Sequence, residues 1–141
     1  MKLELAQKVV AAALANARTR NFKSLAVAVL DARGALKAFA AEDGTSLRRA
    51  EIANGKAHGA LAMGLGSRTL GKMAAERPHF VAAVTHAVGG MLIPVAGGVL
   101  MRDGTDAIIG AVGISGDTSD NDEAAAVAGI EAAGLKADPG T

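Results

Sequence analysis

The side chains able to do chemistry are few, and most lie in two stretches. In the first, Glu51, Asn54 and His58 recur at helical spacing and share one face, while Lys56 points elsewhere. Imidazole titrates near neutrality and ligates iron, so His58 is the candidate proton carrier or axial metal ligand; the plainer reading is a hydrogen-bonded helix residue. Lys56 and Arg68 are the cations able to anchor a carboxylate while His58 moves a proton. His86 sits in an apolar stretch near an expected helix end and reads equally as a core histidine or a ligand. His79 follows Pro78 at a helix start and is expected to be exposed.

The second stretch is a strand expected over 106–115, whose bulky Ile108, Val112 and Ile114 alternate with Ala107, Ala111, Gly113 and Ser115. A glycine inside a strand weakens it unless something must approach closely. Either a helix lies tightly on the bare face, or that face floors a ligand cavity with Gly113, Ser115 and Gly116 offering amides and a hydroxyl at its mouth. Ser115 is not a nucleophile of the elbow type, because Gly113-Ile114-Ser115-Gly116-Asp117 lacks the second glycine where that turn needs it. Asp120 and Glu123 are spaced as a helix capping pair. The acidic residues 117–123 lack the ligand spacing of a calcium loop and would repel phosphate.

These residues need a scaffold, and the composition limits its kind. With 141 residues, half of them apolar, the chain suits one domain with one core. Aromatics make up only 2%, so Ala, Val, Leu, Ile and Met do the packing and backbones must come close. Fifteen basic against fourteen acidic residues give a net charge of +1, without the basic patch that nucleic acid binding requires. The absence of cysteine fits a reducing compartment, and a cytoplasmic location is expected. Glu4 and Lys8 interrupt any export signal near the start. The uncharged run 80–101 holds Pro94 and two Gly pairs, so a helix ending at Gly89 followed by a strand explains it better than a membrane span.

Periodicity then orders the elements. A helix over 3–20 leads to an entirely apolar strand at 25–30, with Leu25, Val27 and Val29 on one face and Ala26 and Ala28 on the other. A turn at Asp31-Ala32-Arg33-Gly34 returns the chain as a strand over 35–40. Residues 46–88 are helical, capped by Ser46 and broken near Gly64-Leu65-Gly66 and at Arg77-Pro78. Gly55 and Gly59 form a groove there that calls for a packing partner, since each glycine costs about 1 kcal/mol against Ala. Strands at 91–95, 98–102 and 106–115 and a helix at 120–133 complete an α/β (α+β) domain. It has a five-stranded, mainly antiparallel sheet in the order αββ-ααα-βββα, spanning 1–137, with 138–141 a frayed tail.

The run Ile52-Ala53-Asn54-Gly55-Lys56-Ala57-His58-Gly59-Ala60, the Gly97-Gly98 strand, and Ile109 to Gly116 followed by Asp122-Glu123 together resemble the GlcG/HbpS-like, or haem-degrading domain, family over nearly the whole chain. The resemblance implies a single α/β domain, a homo-oligomer of octameric type and, in some members, bound haem; one branch is fused to a corrinoid adenosyltransferase and others are encoded beside catabolic genes, which implies a role accessory to a catabolic pathway. Two departures stand out: Leu100 replaces a usual Pro, and His58 lies near a usual Thr. The expectation is a haem-binding or small-ligand-binding protein, with His58 or His86 as axial ligand and no nucleic acid or membrane partner. The alternatives are an enzyme acting on a small keto acid through His58, and an oligomeric structural module.

Overall fold

The computed structural model describes residues 1–141. Its elements run α1 (Leu3–Thr19), β1 (Ala26–Asp31), β2 (Leu36–Ala41), α2 (Arg49–Met63), α3 (Ser67–Glu76), α4 (Pro78–Ala87), β3 (Gly98–Arg102), β4 (Ile108–Ser115), α5 (Ser119–Ala132) and β5 (Lys136–Asp138). One sheet holds all five strands in the order β2-β1-β4-β3-β5, every neighbouring pair antiparallel. The expected fold class is therefore the observed one. No helix is long and apolar enough to cross a membrane.

The centre of the sheet is buried on both sides, as the apolar run 26–30 of β1 demands. Leu25, Val27 and Val29 join Val112, Ile114 and Met101 in the main core beneath α1 and α5. Ala26 and Ala28 face Ala53 of α2 on the opposite side. Small residues there let a helix lie close, and large ones on the other face fill the space under two helices.

Two expectations about the last third change. Residues 91–95 are not a strand. Pro94 removes a donor, and Leu92 and Ile93 instead fill the α2 groove: a Cβ on Gly55 would come 2.6 Å from Ile93 and one on Gly59 2.9 Å from Leu92. The partner that these glycines called for is thus an irregular strap. The fifth strand is β5, formed by residues beyond α5, where Ala137 pairs with Met101. The residues read as a frayed tail are held down: the Arg68 amide donates to the Pro139 carbonyl at 3.3 Å and the Thr141 amide to Thr69 Oγ1 at 2.9 Å. Their anchor is α3, which sequence periodicity alone does not connect to the C-terminus.

Helix starts also differ in detail. Ser46 does not cap α2; its hydroxyl accepts from Arg49 Nε at 3.1 Å. Thr118, not Asp120, caps α5 by accepting from the Asn121 amide at 3.2 Å, because the helix begins one residue earlier than expected.

Candidate functional site

Gly113 and Gly98 lie side by side in register on β4 and β3, and α2 crosses them with its backbone. A Cβ on Gly113 would stand 1.8 Å from the Ala53 carbonyl oxygen, and one on Gly98 2.3 Å from that of Lys56. No cavity exists above these glycines. The reading of Gly113 as a pocket floor is replaced by its alternative, a helix seated directly on the bare strand face.

That seat decides where an opening remains. α2 covers β1, β4 and β3 but not β2, whose Leu36 and Phe39 stay 58% and 42% exposed on the α2 side of the sheet. Along the seam between β2 and α2 lies a hollow of 240 Å³, walled by Ala28, Leu36, Phe39, Glu51, Asn54 and Met91. A second, of 180 Å³, opens at the β1–β2 turn between Arg33, Gly34, His58 and Leu61. The helical face carrying Glu51, Asn54 and His58 therefore lines both. Asn54 Oδ1 is buried there without a hydrogen-bond partner, an acceptor with unused capacity.

His58 Nδ1 lies 2.8 Å from the Met91 carbonyl oxygen. A carbonyl only accepts, so Nδ1 carries the hydrogen, and in the neutral ring Nε2 keeps the lone pair. The ring stacks its far edge toward the turn, where a Cβ on Gly34 would lie 3.4 Å from Cδ2 and 3.9 Å from Nε2. Gly34 adopts φ +82°, which the tight turn needs, and its missing side chain leaves the imidazole edge uncovered. No group of three or more His, Cys, Asp or Glu converges to hold a metal ion. A metal at His58 would accordingly have to bring its remaining ligands with it, as a metalloporphyrin does.

The other expected site residues are not gathered here. Lys56 is buried; its Nζ donates to Asp122 Oδ2 at 3.0 Å and to the Ile114 carbonyl at 2.9 Å. Burial pushes Lys56 down and Asp122 up from their usual ranges, each opposed by the partner's charge. Its ammonium is not available to anchor a ligand. Arg68 is bound by Glu123 and Asp120, which raise its pKa further, so those two carboxylates serve an ion pair rather than a cap. His86 ends α4, which packs on α3, and borders a shallow hollow with Thr85, Gly89 and Gly90. Ser115 is buried and accepts from Arg49 Nη1 at 3.1 Å. Gly116 is pressed against the segment leading into β1, where a Cβ would meet the Ser24 carbonyl at 2.1 Å. Sequence reasoning passed over Leu36, Phe39 and Met91, because strand alternation puts residues three apart on opposite faces and only the irregularity in the β1–β2 pairing brings Leu36 and Phe39 to one face.

The comparisons with known proteins agree with this architecture. A family model described as "Haem degrading protein HbpS-like" matches residues 1–131. No curated protein sequence matches the chain. Among solved structures, a PduOC:haem complex is similar at TM-score 0.84 and 22% identity, covering 96% of each chain. Protein ORFY of Klebsiella pneumoniae is similar at TM-score 0.84 and 22% identity over 95% of this chain and 90% of that one. A double mutant of Streptomyces reticuli HbpS is similar at TM-score 0.79 and 26% identity over 93% of this chain and 85% of that one.

Proposed function

We propose, from the premise that this chain belongs to the HbpS-like family, that it binds haem along the β2–α2 seam with His58 Nε2 as the protein's iron ligand. The observation that carries this reading is the Nδ1–H bond to the Met91 carbonyl at 2.8 Å, which selects the tautomer of the neutral ring whose lone pair is on Nε2. A single imidazole, with no other ligating side chain gathered beside it, suits iron already held in a macrocycle. Leu36, Phe39 and Met91 offer the apolar wall that a porphyrin face requires. When bound, haem supplies an iron centre for redox or small-ligand chemistry.

The chain's own residues contribute orientation and shielding. The Met91 carbonyl holds the His58 ring in place. Asn54 presents a hydrogen-bond acceptor one turn away. Each hollow, at 240 and 180 Å³, is smaller than the roughly 300–1,000 Å³ of pockets that enclose a whole small molecule. We therefore include a homo-oligomer in the proposal, in which a second copy closes the open face of β2.

The keto-acid enzyme reading has less support, since both cations it assigned to the substrate, Lys56 and Arg68, are already in ion pairs. The test of haem binding is an absorbance titration with hemin. A saturable Soret band is expected that is lost or displaced in His58→Ala and unchanged in His86→Ala. A band that does not saturate, or one indifferent to His58→Ala, overturns the proposal.

A further inference from the structure

At the opposite end of β1 from His58, a hollow of 440 Å³ without a hydrophobic side chain in its wall opens where β1 begins, β4 ends and α2 starts. Its distinguishing residue is Arg49. Of the eight arginines, Arg18, Arg33, Arg48, Arg68 and Arg102 bind carboxylates, and Arg20 and Arg77 lie over phenylalanine rings. Arg49 has neither. Its guanidinium is instead held between two hydroxyls, Nε donating to Ser46 Oγ and Nη1 to Ser115 Oγ, each at 3.1 Å. The buried Ser115 fixes one edge of the fork, and Nη2 is left without a partner.

The rest of the hollow suits an anion with one charge. Lys23 stands in the wall, but Asp117, which accepts its backbone amide at 2.6 Å, offsets its charge and leaves Arg49 as the uncompensated cation. Ser24 and Thr45 add hydroxyls, and the amides of Gly44, Ser46 and Gly116 have no acceptor within the protein. A planar, half-buried guanidinium with hydroxyls around it recognises a carboxylate by paired hydrogen bonds. A phosphate dianion would meet only one net positive charge and the nearby Asp117 carboxylate.

We propose that this hollow binds a small hydroxylated organic carboxylate, gripped by Arg49 and read by the hydroxyls of Ser24, Thr45 and Ser46. Nine residue steps along α2 separate Arg49 from His58, about 13 Å at 1.5 Å per residue, and this hollow shares no lining residue with the two along the seam. The test is a titration of the ¹⁵N-labelled protein with sodium L-lactate, with sodium chloride and sodium phosphate as parallel arms. Saturable shifts confined to the amides of Gly44, Thr45, Ser46 and Gly116 are expected, at least tenfold weaker in Arg49→Gln and unchanged in His58→Ala. Shifts equal to those from chloride, or undiminished in Arg49→Gln, overturn the proposal. Tighter binding of phosphate than of lactate overturns the assignment to a carboxylate. If Arg49→Gln does not fold, Ser46→Ala, at an exposed position, is expected to weaken lactate severalfold, and an unchanged affinity there overturns it. Because His58→Ala removes haem binding alone, failure of one proposal leaves the other standing.

Discussion

Lys56 is an ammonium enclosed by the protein, 3.0 Å from the equally buried Asp122. Attraction in such a place offsets desolvation only while both partners remain, and removing one strands the other charge. Lys56→Met is expected to lower unfolding free energy by about 3–5 kcal/mol in urea denaturation, and Lys56→Met combined with Asp122→Leu to recover most of that loss. A single substitution that leaves the urea midpoint unchanged would contradict the pair's burial. Here the sequence was legible in one respect and silent in another. Helical spacing separated Lys56 from the Glu51, Asn54 and His58 face, but its partner lies 66 residues away on α5, a distance that no local pattern spans. His58 is the converse case. Its candidacy came from residue type, yet the carbonyl that fixes its tautomer belongs to a segment read as a strand.

At the scale of elements, the contact of α2 with β3 and β4 depends on two missing side chains. Gly113→Ala would place a methyl group 1.8 Å from the Ala53 carbonyl, which neither rigid backbone can yield. Overpacking of this kind costs about 1–3 kcal/mol, and calorimetry should show a lower Tm with the fold retained. Thr118→Ala, which removes the cap of α5, is expected to cost about 1 kcal/mol in the same measurement. The elements β1 to β4 and the five helices were readable because each carries its own period and turn residues. The strap over 91–95 and the short β5 were not, since Leu92 and Ile93 are apolar for the sake of a groove on α2 and Lys136–Asp138 pairs only because β3 offers an edge. Gly55 and Gly59 nevertheless announced the groove before its occupant was known.

For the whole molecule, acid is the informative perturbation. The amides of Lys23 and Thr118 hold Asp117 below its usual range, Thr105 and Ala107 do so for Asp103, and Lys136 does so for Asp106. At Asp31, burial alone would raise the carboxyl, but the amides of Ala35 and Arg33 outweigh it. A carboxylate with a lowered folded pKa contributes stability above its unfolded value, near 3.8 here, and loses it as pH falls through the folded value. Asp122, raised by burial, runs the other way and opposes the four. The urea midpoint should stay level between about pH 5 and 7 and fall below about pH 4; a midpoint that rises on acidification would contradict this balance. The placement of α2 has one more consequence, and it concerns time. A helix resting backbone to backbone on the sheet has no side-chain layer in which to slide, so its central amides, from Ala53 to Ala57, should surrender their hydrogens to deuterium only when the entire protein opens. A ligand arriving at the seam then meets a wall that is already set, and little of its binding energy is spent on ordering it.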